Sequence, residues 1–461
     1  MRATFRWTTA FVCMGTGGLT HASITVDPMK SDVWTYQPST LVWSPFVDAP
    51  GDVNTGTQEL RMGRTNQSWG SLLISGGSDL VTPVAVLGSD HASGTAVTSD
   101  GDVVVDGPGS LFAPTRLTLG DYARVQIVPS INVDSISFGR VTVQNGGSLV
   151  SDIVESDGSG SITVTGIGSS ATITGRTNLW GHTMTVNQGA SASAREIRVG
   201  SLRTIPDTLQ TVGVSGNLSI DGVGSHLSTP DPLRVVVGAL EIRNGATISV
   251  PSVRLGSGTA YEFNPQLRVS GQNTVVTIPT VTGAGNLAVS DGGRLVVNSH
   301  PDNGGSASGQ GSSISINGAL NLRSAGSSTI SFNISAGASV DCLSSSMGEY
   351  SELLVRNPGS TWSVDGPLTL SGRTVFADGF NRVRNGILDI RDGATVTADT
   401  LEVLNYGRLE YDLTPNSLIS AHPQAALQVQ GLVDLDQVNT PIVVTRSSFT
   451  LNPNHAFHIL S

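Results

Sequence analysis

One phrase recurs along this chain: a short alternating strand, then Gly-Gly or Gly-Ala, then another short strand. It reads LLISGGSDL from Leu72, VTVQNGGSLV from Val141, MTVNQGASASA from Met184 and LEIRNGATISV from Leu240. It continues as LAVSDGGRLVV from Leu287, ISFNISAGASV from Ile330 and ILDIRDGATVT from Ile387. A second phrase interleaves with it: VVVDGPGSLF from Val103, ITVTGIGSSATI from Ile162, LSIDGVGSHL from Leu218 and LLVRNPGSTW from Leu353, with LRVSGQNTVVTI from Leu267 as a degenerate member. A third piece ends in Leu-Gly or Val-Gly at Leu117, Ile197 and Val253. Self-similarity of this kind fixes the architecture before any single motif does.

The spacing narrows it further. The glycines of the first phrase fall at 76, 146, 189, 245, 292, 337 and 393. A propeller keeps a stricter period, whereas a coil absorbs loops of unequal length without disturbing its stack. With roughly 20–25 residues to a turn, each interval holds about two turns, and residues 61–410 hold roughly 15. At about 4.8 Å per turn that makes a rod roughly 70 Å long. Each strand is about five residues with period two, so alternate Val, Leu and Ile face one way and stack on their equivalents above and below. Aromatics are only 5% of the chain, as a narrow aliphatic column requires. The expected fold is therefore all-β: a single-stranded, right-handed parallel β-helix with very little helix.

Thirteen Asp-Gly or Asn-Gly pairs punctuate the strands, among them Asp106-Gly107, Asn145-Gly146, Asp221-Gly222, Asn244-Gly245, Asp291-Gly292 and Asp392-Gly393. Both residue types accept the left-handed backbone a sharp corner needs. The same pairs favour two-residue hairpins, so an antiparallel sandwich or adhesin array is the competing fold.

The ends read differently. Arg2 and Arg6 precede a moderately apolar stretch from Thr8 to Leu19, and Thr20-His21-Ala22 approximates a small-x-small cleavage site, so residues 1–22 are expected to be an export signal. Residues 23–60 lack the repeat and carry Trp34, Tyr36, Trp43 and Phe46, as a cap over the first turn would. Residues 411–461 read as longer, closing strands. The expected organisation is thus 1–22 signal, 23–60 N-terminal cap, 61–410 repeats and 411–461 closing segment.

The phrases at Val103–Gly120, Val141–Ser151, Ile162–Ala171 and Leu240–Val250 resemble the repeats of bacterial autotransporter passengers and PEP-CTERM-type exported proteins. Val103, Gly107, Gly109-Ser110, Leu117 and Gly120 carry one part of that likeness; Gly70, Leu72, Ile74 and Gly76-Gly77 carry another. Leu427 to Leu435, with Phe449 and Phe457 to Leu460, looks like the segment that closes such passengers. The resemblance covers roughly residues 61–461. It implies export, a β-helix and a surface or matrix role without catalysis.

Charge and motifs agree with a scaffold. The formal net charge is −11 and Lys30 is the only lysine, so no basic cluster exists to neutralise a row of phosphates; nucleic acid is not an expected partner. No run of about 18 apolar residues reads as a membrane helix. Parallel β-helices also host polysaccharide lyases and glycoside hydrolases, which need converging carboxylates, often with Arg or calcium. Asp152, Glu155 and Asp157 cluster, as do Asp389, Arg391 and Asp392, but most Asp residues precede Gly and read as turn residues. The histidines at 21, 91, 182, 226, 300, 422, 455 and 458 are scattered, and H-E-x-x-H, G-x-S-x-G, the P-loop and the G-G-x-G-x-D calcium repeat are all missing. Cys342 reads as a small buried hydrophobe, with Cys13 in the expected signal. Trp69, Trp180 and Trp362 lie near strand edges and could either stack on a sugar ring or pack. No catalytic, cofactor or metal residue is assigned. The expectation is a monomeric exported structural or adhesive scaffold. Its partners would be extracellular polysaccharide or cell-surface components. The alternative is a carbohydrate-active β-helix enzyme.

Overall fold

The computed structural model describes residues 22–412, except 64–67, 89–99, 121, 129–130, 137, 157–158, 206–209, 257–264, 284, 300–303, 323–328, 378–379 and 405–406, together with 427–430, 433–434 and 443–445. Among these residues there is no helix, and the strands gather into three large, mostly parallel sheets.

The first sheet runs through the whole described chain. Trp69–Ser75 pairs in parallel with Asp100–Asp106, which pairs with Phe138–Gln144, which pairs with Ser159–Thr165, and so on to Val443–Thr445. The register keeps like over like: Leu72, Val103, Val141, Ile162 and Met184 form one inward column, and Ile74, Val105, Val143, Val164 and Val186 the next. All ten are buried. Period two thus sends every second side chain into one aliphatic interior. Where the repeat degenerates at Gly305, in register with Leu287 on one side and Phe332 on the other, the larger neighbour compensates: a Cβ on Gly305 would sit 2.8 Å from Phe332 Cε2.

Between first-sheet strands the chain visits a second sheet; a third begins at Val275–Ile278 and takes its place after Val281–Gly283, the second sheet's last strand. The passage occurs at the glycine corners, which alternate strictly between two forms. One is x-Gly-small with the first residue left-handed, as at Asn145, Gln188, Asn244, Asp291, Ala336 and Asp392. The other is four residues ending in Ser or Thr, at Ser110, Ser169, Ser225, Thr274, Ser312 and Ser360. Each of those six hydroxyls accepts the N–H of a glycine in the preceding corner: Gly77, Gly146, Gly189, Gly245, Gly292 and Gly337, at 2.9–3.1 Å. The hydroxyl stitches explain why two phrases interleave. Ser225→Ala is expected to cost about 1–3 kcal/mol, since the part-buried Gly189 N–H loses the buried Ser225 hydroxyl that accepts it, while Ser225→Thr keeps the bond as Thr274 does; thermal melting of both variants checks this.

The strands flanking these corners pair in parallel, so the Asx-Gly corners are not hairpin turns of an antiparallel sandwich. Antiparallel pairs among the described residues lie elsewhere. Ser23–Ser31 runs against Trp69–Ser75, and Val33–Gln37 lies between Val42–Pro45 and Glu59–Met62. Three hairpins, Tyr122–Val128 with Ile131–Ile136, Ser201–Ile205 with Gln210–Val214, and Gly372–Ala377 with the start of Phe380–Arg391, are inserted at one point of the repeat, just before a first-sheet strand. The chain reaches that point through left-handed glycines such as Gly120 and Gly200, which end the third sequence motif. The expected signal lies outside the described residues but for Ala22, as does most of 411–461. The described parts of that last segment, Leu427–Val429, Val433–Asp434 and Val443–Thr445, continue the parallel pairing.

Candidate functional site

The outward side of the first sheet carries the chemistry. Each of its early strands opens with an outward residue followed by an inward glycine: Trp69-Gly70, Asp100-Gly101, Phe138-Gly139 and Ser159-Gly160. The glycines are forced by close approach; a Cβ on Gly139 would lie 2.6 Å from the Leu87 carbonyl oxygen. Register then sets Trp69, Asp100 and Phe138 side by side in one column, with Ser71, Asp102 and Arg140 in the column beside it. Trp69 is 44% exposed and Phe138 40%, so both rings reach solvent on either side of Asp100.

The charges here are mutually satisfied. Arg140 Nε donates to Asp102 Oδ1 at 2.7 Å and its guanidinium lies 3.8 Å from Asp100 Oδ2. Lys30 Nζ sits 3.9 Å from Asp102 Oδ2 and 4.4 Å from the centroid of the Trp69 ring, a cation–π contact. Asp100 Oδ1 is buried without a hydrogen-bond partner among the described residues. Burial raises the Asp100 carboxyl above the usual carboxylate range, Arg140 pulling the other way and Asp102 adding to the rise. A raised folded-state value means the folded chain holds the proton longer than the unfolded one, so this group's contribution to stability falls as pH rises through that window. Asp100→Asn is therefore expected to melt above the unaltered chain at neutral pH, with the difference vanishing below about pH 4, the ordinary carboxylate value.

The residues singled out in the sequence are dispersed. Asp152 accepts from the Thr174 hydroxyl, and Glu155 is held between Arg116 and Arg176; Asp157 lies outside the described residues. Asp389 is buried and chelated by Arg391, while Asp392 is a left-handed corner residue. His182 is buried with Nδ1 2.9 Å from the Trp180 carbonyl oxygen, and His226 Nδ1 lies 2.9 Å from Thr247 Oγ1; the other six histidines are outside the described residues. Cys342 is buried, which pushes its thiol up to about 12. Of the tryptophans weighed for sugar stacking, Trp362 is wholly buried, Trp180 half-buried, and Trp69 exposed.

A second feature of the same face is a shallow depression of about 300 Å³ lined by Glu241, Arg243, Arg268, Ser270, Ala288 and Ser290. Its arginines are engaged: Arg268 with Glu241 at 3.1 Å, Arg243 with Glu241 at 3.5 Å and with the Ser219 hydroxyl at 3.0 Å. Among the described residues no group of three His, Cys, Asp or Glu is placed to hold a metal ion, and no helix is long and apolar enough to cross a membrane.

No family model, curated protein or solved structure matches this chain. What the chain can do has to be read from its own surfaces, and on the first sheet the Trp69–Asp100–Phe138 column is the most developed. Sequence reasoning singled out Trp69 but missed Phe138 and Asp100. Aligning the residue before each strand-opening glycine would have found them.

Proposed function

We propose that this chain is an exported, non-catalytic scaffold whose parallel sheets wind as a right-handed β-solenoid and present a long outer face for surface or matrix contacts. The observation that carries the reading is the uninterrupted parallel pairing of the first sheet from Trp69–Ser75 to Val443–Thr445, with the inserted hairpins confined to one point of the repeat. Parallel strands joined by crossovers wind right-handed in nearly all proteins. In repeat architectures, insertions gather on one face while the stack supplies rigidity. Residues 23–60 would cover the first turn, the antiparallel strand Ser23–Ser31 shielding an edge that would otherwise recruit another chain. The neighbouring carboxylates Asp100 and Asp102 both face Arg140, which suits a binding surface better than acid–base work.

Small-angle scattering on the purified chain tests the shape: a rod about 70 Å long, set by strand spacing, supports the reading, and a compact envelope overturns it. Fusing residues 1–22 to a reporter in a bacterial host tests export; a reporter retained in the cytoplasm removes that part of the proposal.

A further inference from the structure

We infer that the Trp69–Asp100–Phe138 column, with Lys30, Asp102 and Arg140 beside it, is a binding site for a neutral, extended polysaccharide. The argument begins with spacing. Trp69 and Phe138 occupy the same outward position two strands apart, which places them about 10 Å from each other across the sheet, twice the inter-strand distance. That is the scale of a disaccharide in an extended β-linked chain, so the two rings can stack on alternate sugars. Such a chain would cross the strands along the column.

The polar groups suit what lies between. Asp100 stands under the sugar that bridges the two rings, and its Oδ1 has no hydrogen-bond partner among the described residues. Oδ1 itself is buried, so a sugar hydroxyl would donate to the solvent-facing part of the carboxylate, whose side chain is 24% exposed. The Phe138 backbone N–H bonds the same carboxyl, fixing it relative to the second ring. Asp102 and Arg140 supply an acceptor and a donor in the neighbouring column. Lys30 lies over the Trp69 ring and leaves the indole 44% exposed.

Charge decides the class of glycan. Two cations face two carboxylates at 2.7–3.9 Å, so the patch carries no uncompensated positive charge to attract uronates, sulfates or phosphates. Paired aromatics with neutralised polar groups select a neutral polyhydroxylated ligand. The depression between Arg243 and Arg268 lacks an exposed ring and is not part of this site.

The test is isothermal titration of the purified full chain with three probes: the β-1,4 hexasaccharides of glucose and of N-acetylglucosamine, and polygalacturonate. At least one neutral hexasaccharide is expected to bind. Trp69→Ala and Phe138→Ala are each expected to weaken it about tenfold, of the order of one aromatic contact. Trp69→Phe should retain most of the affinity. Ile167→Ala, at an exposed corner away from the column, should retain all of it. Melting temperatures of the alanine variants close to that of the unaltered chain separate lost binding from lost folding. The inference is overturned if neither neutral probe binds, if both alanine variants bind as tightly as the unaltered chain, or if only polygalacturonate binds and salt abolishes it. The scattering test of the scaffold is independent of each of these outcomes.

Discussion

Gly238→Ala is expected to destabilise the chain more than almost any other single methyl addition. Gly238 opens the strand Gly238–Arg243 with φ of +109°, outside the backbone range an L-residue accepts. A Cβ there would lie 1.9 Å from the Gly216 carbonyl oxygen, with Gly216 C and N at 2.9 Å. These are backbone atoms of the paired strand Gly216–Asp221, so no rotamer change relieves the clash. The ladder must part, and Leu240 and Ile242 leave the inward columns they share with Leu218 and Ile220. A loss above about 4 kcal/mol is expected, the range reserved for backbone clash and core disruption. Gly393→Ala is the control: Gly393 is also left-handed, φ +76°, but nothing lies within 4 Å of its Cβ position. It should lose only about 1–2 kcal/mol, the cost of the backbone alone. Equal melting temperatures for the two variants would show that the close approach at Gly238 does not exist.

The contrast between these glycines also marks what can be read from sequence. The left-handed corners were legible because their chemistry is local: an Asx or small residue before Gly announces the turn by itself. The inward columns were legible for the same reason, since period two needs only five residues to declare itself. Register was not. Paired residues are 18 apart at Leu287 and Gly305 but 38 apart at Val103 and Val141, because insertions of different length intervene. Phe138 and Trp69 therefore share a column that no local window reveals. The inserted hairpins were missed too. One of them pairs Ala377 with Phe380; whether two neighbouring strands find partners in each other or in the stack is not decided by any local window. The tryptophans, by contrast, could have been sorted in advance. Trp362 shares parity with Val364, an inward residue, whereas Trp69 has the parity opposite to Leu72.

That parity makes Trp362→Ala the other variant with a large expected effect. Among the described residues Trp362 is the largest wholly buried side chain, in an interior filled mostly by aliphatics, with Phe112 and Phe332 the other wholly buried rings. It lies in register between Val340 and Val396, and the next inward column along the same strands holds Cys342, Val364 and Ala398. The small residues at Cys342 and Ala398 leave room for one indole, and none of the neighbours is large enough to fill the void an alanine would leave. Truncation should cost about 3–5 kcal/mol, as for other buried aromatics. In a stack where each repeat touches only its neighbours, the damage should also be local. Hydrogen exchange is expected to rise in Ser339–Met347, Thr361–Leu370 and Thr395–Val403, which meet at this position. Ser159–Thr165 and His182–Asn187, many strands away in the first sheet, should keep their protection. Uniform loss of protection along the whole chain would mean that the stack folds as one cooperative block, and the picture of neighbour-only coupling would have to be given up.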